Sequence, residues 1–316
     1  MAPDPHPQSH IPVLAVIVLH RRAPSQSESV CSLVQILKAN PDLEKSFSVI
    51  IYDNSPQQQG CEVAGNFPVS VLYKHDPTNP GLATAYNFAL GKACENEHEW
   101  LLLLDQDTPV TYGFLTELIA CAKTLRLQPQ VGAIVPKLLV DGKIYSPLAH
   151  FIDHLRHQYR RSNNAVSKQI VGLQDGRLTA YNSGAALRVL ALQSIGGFPQ
   201  EYWLDYLDHA VFHALFVRGY RTYVLRTEIK HDASQAAMGR VPAWRQRNLL
   251  LAQSRFVQQT GNILDRLLYR IWLLRYSISL WIRHPDKHLW KEALLKAVSL
   301  NGRTDKPPTS HRISNA

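Results

Sequence analysis

Long apolar runs are missing from this chain of 316 residues. A helix that crosses a bilayer needs roughly 20 apolar residues in a row. The best candidate, Leu267–Ile282, is broken by Arg270 and Arg275. Met1–Pro12 has no basic segment, and the apolar run Val13–Leu19 is too short for a secretion signal with normal flanks. These absences predict a cytoplasmic protein that neither spans a membrane nor follows a standard secretion signal. Cysteine is scarce: the four residues Cys31, Cys61, Cys94 and Cys121 lie about thirty positions apart with no CxxC pair. That excludes a zinc knuckle or ribbon and fits reduced, mostly buried thiols. Neither GxGxxG nor a P-loop lysine occurs, so dinucleotide and P-loop classes lose support. Acidic residues are the minority, 25 against 34 Lys and Arg, a net charge of +9. Such a surplus attracts phosphates, anionic lipid or nucleic acid without choosing among them. The basic residues are not interleaved with a nucleic-acid motif, so no specific nucleic-acid partner is expected.

A hydrophobic fraction of 45% supports a sizeable core. In the first half, strand and helix patterns alternate. Val13–Leu19, Ser48–Tyr52, Val69–Tyr73, Trp100–Leu104 and Val131–Val135 read as strands; Ser27–Ala39, Leu82–Cys94 and Tyr112–Leu125 read as helices. This alternation predicts an α/β fold with a mostly parallel, Rossmann-like central sheet and helices on both faces. In such sheets ligands bind beyond the carboxyl ends of the strands. Asp53 and Asp105–Asp107 fall at two such ends. Asp141–Leu178 reads as an irregular excursion over the site. A helix is expected from about Asp205 to Val217, stopped by Gly219, and Thr222–Leu225 reads as a further strand.

Three segments carry chemistry. Leu101–Leu104 is an apolar strand that delivers Asp105 and Asp107 to the sheet edge, where two carboxylates can hold a hard divalent cation that grips a diphosphate. In Trp203–His209, Asp205 and Asp208 are three apart and would share a helix face; Asp205 suits a cap, whereas Asp208 lies among aromatic and apolar neighbours. In Asn79–Asn87, Gly81 precedes a helix whose backbone amides could approach a phosphate. His209 and His213, four apart, could bind zinc but read better as ordinary helix-face histidines, and an isolated His231 is ordinarily structural.

Taken in order, Asp53-Asn54-Ser55, Asn79-Pro80-Gly81 through Asn87, Asp105-Gln106-Asp107-Thr108, Ser183-Gly184, Ile195–Phe198, Trp203–His209 and Arg218-Gly219-Tyr220 resemble glycosyltransferase family 2. Members of that family have a GT-A fold and mostly invert the anomeric centre; within it the chain looks most like bacterial rhamnosyltransferases. The resemblance runs from about Val13 to Asp232. It implies that Asp53 binds a nucleobase edge, that Gly81, Asn87, Asp105, Gln106 and Ser183 lie against a nucleotide sugar, and that Asp208 is the general base. It also implies a divalent metal, Mg or Mn, on Asp105, Asp107 and His231. The implied partners are a nucleotide-sugar donor, with dTDP-rhamnose the leading choice, and a glycan or lipid-linked saccharide acceptor. Where the family often has Gly two positions after Asn87, this chain has Ala89.

The expected organisation is a disordered 1–12, a GT-A domain over 13–243, a helical extension over 244–300 and a disordered tail over 301–316. The extension carries Trp272, Trp281 and Trp290 among Arg and Lys residues. Its amphipathic helices suit either packing on the catalytic domain or a dimer, or peripheral attachment through 264–300 to the inner face of the cytoplasmic membrane.

Overall fold

The computed structural model describes residues 13–60, 67–160, 170–231, 242–283 and 288–298. Val13–Leu19 is β1, and all of it is buried. A strand covered on both faces has no polar side to alternate with, which is why its sequence is one apolar run. Helix α1 (Glu28–Ala39) follows, its first turn held by Ser27 accepting from Val30 N–H. After the short α2 (Pro41–Glu44), β2 (Phe47–Asp53) pairs parallel with β1, and β3 (Val71–His75) pairs parallel with β2. Then come α3 (Leu82–Glu95), β4 (Trp100–Asp105, parallel to β1 on its other side), and α4 (Tyr112–Leu125), capped by Thr111.

The chain continues through β5 (Val131–Val140), β6 (Lys143–Ser146), β7 (Leu148–Ala149), α5 (Phe151–Arg160), β8 (Gly172–Gln174) and β9 (Leu178–Thr179). Next are β10 (Ala186–Arg188), α6 (Val189–Ser194), α7 (Leu207–Val217), β11 (Arg221–Lys230), α8 (Ala243–Thr260), α9 (Ile263–Arg283) and α10 (Leu289–Val298). The main sheet has the order β3-β2-β1-β4-β10-β5-β11-β8, with β6 beside β5; β7 and β9 form a separate pair. β10 runs antiparallel to both β4 and β5, whereas β11 is parallel to β5.

Alternate residues of the central strands feed two cores. Val16, Leu101 and Leu103 meet α3 and α7 on one face; Ile17, Leu102 and Leu104 meet α1 and α4 on the other. Leu250, Phe256, Tyr269, Leu273, Leu289 and Ala293 from the three C-terminal helices belong to the first of these cores. Those helices therefore cover one face of the sheet.

Three expectations are corrected. The stretch from Asp141 to Leu178 is built rather than irregular. Asp141 and Gly142 have φ of 50° and 70°, so Asp-Gly turns β5 directly back into β6. That dipeptide is a strong hairpin signal; its strands were overlooked because β6 is short and polar. Residues 161–169 of the stretch lie outside the described residues. β11 extends well beyond Thr222–Leu225, to Lys230. The described thiols are free but not mostly buried: Cys31 is exposed, and Cys94 and Cys121 are partly covered. Cys61, 1–12 and 301–316 also lie outside the described residues.

Candidate active site

The parallel register brings Leu19 beside Asp53 and Val18 beside Asp105 at one edge of the sheet. The turn after β4 is fixed by its backbone. Ser27 Oγ donates to the Gln106 carbonyl (2.8 Å), and Ser29 Oγ contacts the carbonyls of Asp105 and Thr108. With the main chain held from α1, the carboxylates need not serve as turn ligands. Ser183 Oγ donates to Asp105 Oδ2 at 2.5 Å. Burial pushes the Asp105 pKa up, against that hydrogen bond; the charges of Asp107 and Asp208 push it further up, and His231 pulls it down. Residues from β4, the first turn of α7 and the end of β11 thus lie within one another's fields.

Asp208 sits in the first turn of α7 and accepts the His209 N–H at 2.8 Å. Burial of its carboxyl raises the pKa to about 6, despite backbone hydrogen bonds that lower it. Asp205 is not on the helix and caps nothing. The residue before the helix is Tyr206, with φ of 65°, and Asp205 is a largely covered acid whose desolvation pushes it to about 6, with Arg245 Nε 3.7 Å away. His231 closes β11: its N–H donates to the Leu139 carbonyl, its Nδ1 lies 3.0 Å from Thr108 Oγ1, and its ring stacks on Tyr145. It is thereby tied to the residue that follows Asp107.

Among the described residues no three His, Cys, Asp or Glu side chains converge tightly enough to hold a metal by themselves. The donor chemistry nonetheless fits a divalent ion. Mg-like ions are commonly held by one or two carboxylates and completed by substrate phosphates and water. Burial and, after it, repulsion from Asp107 and Asp208 raise Asp105, and a cation would relieve the repulsion.

Several expected nucleotide contacts are engaged otherwise. Asp53 is fully buried and accepts from Ser55 N–H and Gln59 N–H (2.9 Å each) and from the Tyr73 hydroxyl (2.5 Å). Burial raises its pKa, but these bonds outweigh it and hold the carboxyl below its ordinary range. Its carboxylate organises the loop after β2. Asn87 uses both ends of its amide on the backbone of Phe198, donating to O (2.7 Å) and accepting from N–H (2.9 Å). It fastens α3 to the Gly197-Phe198 turn. Gln106 accepts the His20 N–H at 2.9 Å, joining the ends of β1 and β4. Gly81, with φ of +91°, lies against Trp203, whose carbonyl accepts the Leu82 N–H at 2.9 Å.

Sequence reasoning missed two tyrosines. Tyr86 is fully buried, its hydroxyl has no partner, and the charges of Asp105 and Asp208 add to burial in raising its pKa. Tyr181 is likewise raised by burial, then by Tyr145 and Asp208. Tyr86 immediately precedes Asn87 in the Asn79–Asn87 segment, so that segment was the available signal.

A histidine group lies under α7. His150 Nε2 and His213 Nδ1 are 3.1 Å apart, and His209 stacks on Tyr206 at 4.4 Å. These are packed side chains rather than a surface pair; His209 is buried and His213 partly so. Burial lowers His209 to about 3; burial, then His213 and nearby Arg177, lower His150 to about 2. Folded-state values below the ordinary 6.5 mean that their contribution to stability is intact above about pH 6.5 and is lost as the pH falls below it. Each imidazole adds about 1.4 kcal/mol per pH unit to that slope. The urea midpoint of the protein relative to that of His209→Gln should therefore fall as the pH is taken from 7.5 down to 5, the carboxyls common to both proteins cancelling in the difference; a difference independent of pH would contradict the neutral packing of His209.

Searches by sequence against protein-family models and curated proteins give no match. Comparison with solved structures does. S. aureus TarS superposes with a TM-score of 0.56 at 12% identity, covering 92% of this chain and 49% of that one. The TarS 1–349 structure in complex with UDP-GlcNAc gives 0.52 at 14% identity, covering 91% and 82%. The chain thus spans about half the length of the longer TarS structure. At these identities the likeness shows the fold, and that fold is the α/β, GT-A-like arrangement expected from the sequence.

Proposed function

We propose that this GT-A-like chain is an inverting glycosyltransferase that moves a sugar from a nucleotide diphosphate donor to the hydroxyl of a glycan or lipid-linked acceptor on the cytoplasmic side. The observation that carries the reading is that β4, the first turn of α7 and the end of β11 bring Asp105, Asp107, Asp208 and His231 to the carboxyl edge of the sheet, near enough for the charges of the other three to act on Asp105. Asp208, with a pKa raised to about 6, is ionised at neutral pH yet basic enough to take a proton from the acceptor hydroxyl. As that oxygen bonds to C1 of the sugar, the bond from C1 to the diphosphate breaks. One displacement inverts the centre, and the proton ends on Asp208. Ser183 holds Asp105 through Oδ2, Thr108 holds His231, and the Ser27 and Ser29 hydroxyls keep the β4 turn in place. A divalent cation, Mg or Mn, held by Asp105 and Asp107 with His231 nearby and completed by the donor's own phosphates, would neutralise the departing diphosphate. In this reading 13–243 is the catalytic domain and 244–300 its helical extension.

The donor we favour is dTDP-rhamnose. A UDP-linked hexose is the second reading, favoured by the UDP-GlcNAc bound to the structurally similar TarS. Calorimetric titration with dTDP and UDP, each with and without Mn²⁺, tests both. We expect binding that needs the metal and falls by at least about tenfold in Asp107→Ala, as loss of one metal-site carboxylate implies. The preferred base names the donor. Folded wild-type protein that binds neither nucleotide would sink the transferase reading.

A further inference from the structure

Helix α9 has two faces with opposite fates. Asp265, Tyr269, Leu273, Ser277 and Leu280 are buried against the body of the protein. Leu264, Leu267, Ile271, Leu274, Ile278 and Trp281 are between 39% and 59% exposed. At 100° per residue the exposed set occupies an arc of about 100°, running the length of the helix. The packing that the amphipathic pattern required is thus already satisfied by one face, and a second apolar face remains. A single exposed Leu needs no explanation, but a continuous stripe of them does.

Charge decides what this stripe suits. Arg270 lies along one margin and Arg275 along the other; Arg266 lies beyond Arg270. The only acidic residue of α9, Asp265, faces inward and is bound by Arg156 Nε at 2.6 Å. The exposed side of the helix therefore carries positive charge alone. The spacing of the stripe would also serve a coiled-coil seam. Two copies of this helix, however, would set arginine against arginine with no acid to answer it. The chain beyond Val298 is no better suited, since it holds Arg303, Lys306 and Arg312 against Asp305. An apolar strip with arginine margins and a tryptophan near one end matches a bilayer with anionic headgroups, where acyl chains take the strip and headgroups take the guanidiniums. No helix among the described residues is long and apolar enough to cross a membrane, so the helix would lie in the surface plane.

We propose that the outer face of α9 docks the protein on an anionic lipid surface. The proposal rests on this face alone and stands or falls independently of the transferase reading. The test is co-sedimentation of the full chain, without nucleotide, on phosphatidylcholine vesicles with and without phosphatidylglycerol, at low and high salt. Retention should be at least tenfold greater on the anionic vesicles and should fall with salt. Arg275→Gln should weaken it about fivefold, the equivalent of about 1 kcal/mol per basic residue near such a surface. Ile271→Ser/Ile278→Ser should abolish it while leaving the melting temperature within a few degrees, because both positions are exposed. Equal or absent retention on the two vesicle types would overturn the proposal. So would a dimer in sedimentation equilibrium that the double substitution dissociates, since the stripe would then belong to a second copy. Should the double variant not fold, Arg275→Gln and the salt series still decide.

Discussion

Asp208→Asn is expected to lower turnover by about 10²- to 10⁴-fold, the usual worth of a positioned general base, and at the same time to make the protein more stable. The two effects have one cause. Burial lifts the carboxyl from 3.8 to about 6 because the folded protein solvates the charge poorly. A raised folded-state pKa means the fold is disfavoured wherever the group is ionised. The penalty is absent below about pH 3.8 and complete above about 6. At neutral pH it is on the order of 2–3 kcal/mol. Asn keeps the size and still accepts the His209 N–H, but it cannot charge. Its melting temperature at pH 7.5 should rise by roughly 5 °C, and the gain should vanish near pH 4. In the unaltered protein, kcat/KM should decline as the pH falls below about 6, since the base must be ionised to act. A destabilised Asp208→Asn that keeps its activity would remove Asp208 from the reaction.

Gly81→Ala should be the most damaging small substitution in the fold. Gly81 has φ of +91° and ψ of 178°, a conformation essentially reserved for glycine. A β-carbon there would lie 2.4 Å from both the Trp203 carbonyl oxygen and its ring. The ring could swing away, but the carbonyl cannot, because it accepts the Leu82 N–H. Strain of about 1–3 kcal/mol and overpacking of about 1–3 kcal/mol add to roughly 2–6 kcal/mol. Denaturant titration measures it. The damage should reach function too, since Trp203 leads through Asp205 to Asp208. Recovery of wild-type stability in the alanine variant would show that this close approach is not required.

The sequence was most readable where one physical demand dominates. Val13–Leu19 and Leu101–Leu104 must be apolar throughout because each strand feeds two cores, and both were placed from that run alone. Asp105 and Asp107 were placed at the sheet edge because an apolar strand ends there. It was less readable where a residue type admits several partners. Asp53 and Asn87 are capable of holding a ligand, and nothing in their spacing reveals that they also bond to the Tyr73 hydroxyl and the Phe198 backbone. Tyr86 was passed over because an aromatic at helical spacing looks like core, which it is, except at its hydroxyl. Asp205 was read as a cap because acids often begin helices; the left-handed turn at Tyr206 moves that beginning two residues on.

The antiparallel β10 has a consequence for how the chain could be recombined with others. An antiparallel strand among parallel ones delivers its entrance, rather than its exit, to the edge where Asp105 lies. Gly184 N–H and Ala185 O meet Leu103 across that entrance, and Ser183 meets Asp105. At the far end, Arg188 donates to the carbonyls of Val131 and Leu125. Residues 183–188 are therefore spatially part of the first half of the chain, though they follow it by some forty positions. A chimera joined just after Val140 would part Asp105 from the serine that holds it. A crossover just after Arg188 keeps the β4 carboxylates and Ser183 together and moves Asp208 and His231 as one segment, which must then remake the Asn87–Phe198 bonds and the β5–β11 pairing.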